Sequence, residues 1–73
     1  MSLDSFVRRL LAQGRDEEAI RTLEDAMRAP HDGCRLEAAI VIHGLTGGPV
    51  TSDLRSQILD EAERVRVESL KRH

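Results

Sequence analysis

Apolar residues recur along this chain at the three- and four-residue spacings of an α-helix, in four stretches separated by turn-forming residues. Leu3, Phe6, Val7, Leu10 and Leu11 form the first stripe, with Asp4, Arg8 and Arg9 opposite. Ser2 can cap that helix and Gly14 can end it. The second opens on Asp16, Glu17 and Glu18, whose charge suits a helix N-terminus, and carries Ala19, Ile20, Leu23, Ala26 and Met27 on one side. Pro30 closes it, and His31, Asp32 and Gly33 read as a loop.

The third stretch is the most apolar, because Ala38 to Ile42 is unbroken and flanked by Leu36 and Leu45. A lone strand here would leave its backbone groups without a ladder partner, so the stretch is predicted as a helix covered on several sides. Thr46, Gly47, Gly48 and Pro49 break the pattern, and Thr51 or Ser52 is expected to cap a long last helix. Its stripe is Leu54, Ile58, Ala62 and Val65, with Leu59, Val67 and Leu70 beside it; Arg66, Lys71, Arg72 and His73 sit where cations complement a C-terminal dipole. Short loops keep consecutive helices adjacent. The prediction is therefore all-α, four helices in two antiparallel hairpins of about 2–30 and 33–72, making one domain. A closed bundle and an open, repeat-like pair both satisfy this pattern.

Residues 3–30, which include GRDEEAIRTLEDAMRAP, resemble a tetratricopeptide repeat. Gly14 ends the first helix, Ala19 and Ala26 let the second approach closely, Leu23 fills the space between them, and Pro30 ends the unit. The pattern departs at Val7, where the repeat favours a small residue, and the second hairpin does not repeat it. The resemblance implies a protein-interaction module that presents a helical face. A second stretch, AAIVIHGLTGGPVTSDLRSQI, is similar to the opening of a winged helix-turn-helix domain, which would imply a DNA-associated regulator built on residues 38–58. After Ile58, however, LDEAERVRVESL continues without the turn that should precede a recognition helix, and Asp60, Glu61 and Glu63 would repel phosphates.

Composition narrows the function classes. Eleven basic residues, ten of them Arg, stand against thirteen acidic ones, for a net charge of −2, and the signs are mixed along the chain. Binding held by phosphate neutralisation wants a basic excess on one face, which this chain lacks. No stretch approaches the roughly 20 apolar residues of a membrane span, and the N-terminus lacks the pattern of a secretory signal. The expectation is a soluble cytoplasmic protein whose lone Cys34 stays reduced. In 73 residues with one aromatic, Phe6, the core is thin.

Candidate chemistry is sparse. His31, Asp32 and Cys34, with His43 folded back towards them, are weighed as a metal site, but no second Cys/His pair stands at ligand spacing. The alternative places His31 near the dipole of the second helix, Cys34 partly buried, and His43 hydrogen-bonded at the core edge. Ser52 with Asp53, or Cys34 with His31, lack an orienting third group, and the former two fit capping. A domain this small seldom shapes a pocket of about 300 Å³. No enzymatic activity, metal or cofactor is expected.

The resulting expectation is a small non-enzymatic interaction module acting on another protein or on its own copy through apolar helical faces. Phe6, Leu10, Leu11, Ile42 and Leu45 are the candidate anchors, and Arg8, Arg9, Arg35 and Arg55 the candidate polar rim.

Overall fold

A computed structural model describes residues 2–71; Arg72 and His73, two of the cations assigned above to the last helix dipole, lie outside the described residues. The helices are α1 (Leu3–Ala12), α2 (Asp16–Arg28), α3 (Asp32–Thr46) and α4 (Leu54–Lys71). Ser2 caps α1 as expected, its Oγ accepting from the Ser5 amide at 3.1 Å. Gly14 and Gly47 both lie at φ 77°, the left-handed conformation that suits glycine where α1 and α3 stop.

Two helix starts differ from the reading of the sequence. α3 begins at Asp32, two residues earlier than the loop reading allows, because His31 supplies the cap: its Nδ1 accepts from the Gly33 amide at 3.1 Å. That role replaces the one expected for His31 at the end of α2. At α4 the capping reading given for Asp53 holds and that for Thr51 or Ser52 does not, since Asp53 Oδ1 accepts from the Ser56 amide at 3.1 Å. Thr51 instead folds the connection, its Oγ1 accepting from the Asp53 amide at 3.2 Å.

The two hairpins close on one another. Every helix packs against each of the other three, and the radius of gyration of 11.6 Å is near the ~11 Å expected of a compact chain this long. This is a closed four-helix bundle and not an open repeat-like pair. Its core takes Val7, Leu10 and Leu11 from α1, and Ala19, Ile20 and Leu23 from α2. Ala38, Val41, Ile42 and Leu45 come from α3, and Leu54, Ile58, Ala62 and Val65 from α4. Ala19, Leu23 and Gly14 stand as the repeat-like spacing implies, but α1 and α2 spend their remaining apolar surface on the second hairpin.

Arginines close the helix ends. Arg66 donates to the Leu11 carbonyl at 3.2 Å, Arg35 to the Ala29 carbonyl at 2.5 Å, and Arg64 to the Leu45 carbonyl. The carbonyls at the ends of α1, α2 and α3 thus each receive a guanidinium from another element. The sequence places Arg66 to complement the dipole of its own helix; in the fold it serves α1 instead and also meets Asp16 at 2.9 Å. Part of the arginine bias has this structural use, since the forked head reaches a carbonyl and a carboxylate together.

Candidate functional site

The core-facing arc of α3 is Ala38, Val41, Ile42 and Leu45, and at about 100° per residue Leu36 and Ile40 fall on the opposite side. They are 64% and 62% exposed, one helical turn apart. α3 is therefore covered on one side only, against the expectation of a helix covered on several. No acidic residue, Lys or Arg occurs from Ala38 to Thr46, so this part of the outer surface carries no charged side chain of those types; Glu37 stands on one flank and exposed His43 on the other. Gly44 lies on the Glu37 flank, in ordinary helical conformation. A Cβ there would meet only Arg8 Nη2, at 3.8 Å. Glycine inside a helix costs about 1 kcal/mol relative to alanine, and no contact within the chain requires it.

Four of the anchors suggested by the sequence are withdrawn from any partner. Leu10, Leu11, Ile42 and Leu45 are at most 3% exposed and complete the chain's own core, which leaves no surface for docking while the fold holds. Phe6 remains 39% exposed at the edge of α1. Leu59, Val67 and Leu70, placed beside the α4 stripe, are exposed as well, Leu70 to 75%. Leu36 and Ile40 escape notice as surface residues in the sequence because an all-apolar run does not reveal which arc meets the core.

The polar candidates are mostly engaged within the chain. Arg8 donates through Nε to both oxygens of Asp4, at 3.0 and 3.1 Å. Arg35 pairs with Asp32 besides closing α2. Arg55 forks onto Glu17, joining the start of α4 to the start of α2. Arg9 is exposed and makes no salt bridge among the described residues.

The Arg55 pair shapes the titration of the surface. Its hydrogen bond holds the Glu17 carboxyl below the ordinary 4.5, while Glu17 pushes the Arg55 guanidinium further up. Hydrogen bonds from the Ser56 side chain and amide likewise hold the Asp53 carboxyl low. A carboxyl lowered by folding adds stability that is present above its unfolded value and is lost as pH falls through its folded value. The melting temperature should therefore hold from pH 7 to about 5 and drop below about 4.5, with a shallower drop for Glu17→Gln. Parallel curves for the two proteins would remove the Arg55 link as a cause.

Metal ligation gains no geometry. Among the described residues, no three His, Cys, Asp or Glu side chains are grouped to hold an ion. Cys34 and His43 share one continuous helix, nine residues or about 13 Å apart along its axis, so His43 does not fold back to the loop. Cys34 is exposed instead of partly buried, and His43 is exposed instead of seated at the core edge. Asp53 is occupied as the cap beside Ser52.

Two further features of the surface stop short of a site. A trough of about 870 Å³ between α1 and α4, larger than expected of so small a chain, is lined by Asp4, Arg8, Arg9, Gln13, Glu68 and Ser69. It is open to solvent, and Asp4 and Glu68 are already paired with Arg8 and Arg64. The connection between α3 and α4 runs from 47 to 53, about twice the three- to four-residue turn of a helix-turn-helix. α4 then continues unbroken to Lys71, with Asp60, Glu63 and Arg64 exposed along it.

Among the described residues, no helix is long and apolar enough to cross a membrane. Comparisons of the chain with protein-family models, with curated proteins and with solved structures give no match.

Proposed function

We propose that this chain is a small non-enzymatic interaction module whose docking surface is the outer face of α3. One observation carries the reading: Leu36 and Ile40, about two-thirds exposed and a turn apart, sit on a helix without charge from Ala38 to Thr46. A helix with large apolar residues on both its inner and its outer side is ordinarily covered on both. Burying a Leu or Ile side chain fully is worth about 1.5–3 kcal/mol, so this face stores free energy that a second protein surface can release.

The rest of the molecule supports a binding role over a chemical one. No polar or charged side chain is buried among the described residues, and the polar groups of the surface go largely into caps and ion pairs. A cytoplasmic setting suits the exposed thiol of Cys34, which would stay reduced there. The DNA-associated alternative, resting on residues 38–58, gains no basic surface from the fold.

The test is a photoreactive residue at position 36 or 40, with the exposed position 21 of α2 as control, in cells that make the protein. An adduct with a protein at 36 and 40 but not at 21 is the expected result. Equal labelling at all three positions, or none at any, would overturn the assignment.

A further inference from the structure

Building on the reading of the outer α3 face as a docking surface, we propose that its occupant is a second copy of this chain. The two α3 helices pack antiparallel about a two-fold axis beside Ile40, and Arg8 of each copy meets Glu37 of the other. The case rests on charge complementarity under that symmetry. Glu37 lies three residues before Ile40, and Gly44 four residues after it. At 3.6 residues per turn they stand about 60° and 40° to the same side of the Ile40 line. An antiparallel two-fold keeps each flank on its own side and reverses height along the axis. It therefore brings Glu37 of the second copy next to Gly44 of the first.

That is where a cation waits. Arg8 spends its Nε on Asp4, while its Nη2 lies 3.8 Å from the point a Gly44 Cβ would occupy and makes no hydrogen bond among the described residues. Glu37 is exposed and makes no salt bridge among the described residues. The missing side chain at Gly44 leaves the space through which the two groups meet, which gives that helix-interior glycine a use that the single chain does not. Symmetry doubles the contact, so one surface supplies both the acid and the base of each pair. Between them Ile40 faces its own copy, and Leu36 and His43 fill the opposite flank.

A partner with an unrelated surface has no reason to match these registers, whereas a second copy matches them by construction. The experiment is molar mass by light scattering on the full chain from about 1 μM to about 1 mM. It is run on the native protein, Glu37→Arg, Arg8→Glu, and an equimolar mixture of the two variants. Glu37→Arg removes no hydrogen bond or salt bridge of the single chain and, at concentrations where both are monomeric, should melt as the native protein does; a melting curve under the same conditions controls for Arg8→Glu, which also leaves Asp4 without its partner.

The native chain should form a dimer. Each variant alone should dimerise at least about tenfold more weakly, because like charges face one another twice. The mixture should regain the dimer as a one-to-one pair, since one copy then carries arginine and the other glutamate at both positions, and both contacts join opposite charges. A native monomer throughout the range, a dimer that both variants leave unchanged, or a mixture without recovery would each overturn the proposal. A monomer whose position-40 crosslinker still captures a different protein would leave the docking reading standing while removing the second copy as its occupant.

Discussion

Replacing Ile42 by aspartate should abolish the cooperative fold, whereas Leu36→Glu and Ile40→Glu together, on the same helix, should leave it intact. Ile42 is 0% exposed and sits on the arc of α3 that meets the other three helices. The substitution forfeits about 1.5–3 kcal/mol of side-chain burial. It also forces a carboxyl, ionised or protonated, into a core that holds no polar side chain among the described residues, at a further cost of several kcal/mol. A single core of this size supplies about 3–5 kcal/mol in all, so the sum exceeds what the fold has to lose. Circular dichroism at 25 °C should show a largely unfolded chain. The Leu36/Ile40 variant should keep its helical signal and a cooperative melt, because those side chains already face water. A cooperative melt of Ile42→Asp within a few degrees of the native protein would mean that α3 is turned about its axis, with Ile42 facing water.

Leu23→Ala is the second large effect. Leu23 is fully buried in α2, which touches every other helix, so the cavity left by truncation has no single neighbour that can move in to fill it. Large-to-small changes at such positions cost about 2–5 kcal/mol. At about 4–8 °C per kcal/mol for a chain of this length, the melting temperature should fall by about 8 °C or more. Met27→Ala, on the same helix but only partly buried, should cost clearly less. Equal losses at the two positions would mean that the bundle interior relaxes freely, contrary to the close packing expected of a core. The comparison also separates Leu23 as a core residue of this bundle from its place in the repeat-like spacing, which the sequence shows equally well for either architecture.

Much of the architecture is legible residue by residue. Ser2 caps α1, Gly14 ends it in the left-handed conformation, and the Leu54, Ile58, Ala62, Val65 stripe of α4 is the one the core uses. Each signal is local: a cap, a turn residue or a spacing of three and four has its meaning within one or two turns of chain. The caps of α3 and α4 are less legible, because His31 and Asp53 compete with neighbours whose side chains are equally able to accept an amide.

The surface is less legible still. Phe6, Leu10, Leu11, Ile42 and Leu45 all stand as candidate anchors in the sequence, and of these only Phe6 keeps much exposure. The reason is rotational: in α3 apolar residues occur on every side, so periodicity leaves open which arc turns inward, and packing against α1, α2 and α4 selects the one holding Ile42 and Leu45. That selection puts Leu36 and Ile40 outside. The arginine contacts at the ends of α1 and α3 and the Arg55 link to Glu17 are likewise invisible along the chain. They join residues as far apart as Leu11 and Arg66, which only the closed bundle brings within reach. Four helices, their breaks and the amphipathic stripes of α1, α2 and α4 follow from the order of residues alone, because they depend on neighbours within a turn or two. That the hairpins close, which side of α3 faces water, and which arginine serves which helix end emerge only on packing, because surfaces distant in the chain compete for the same buried space.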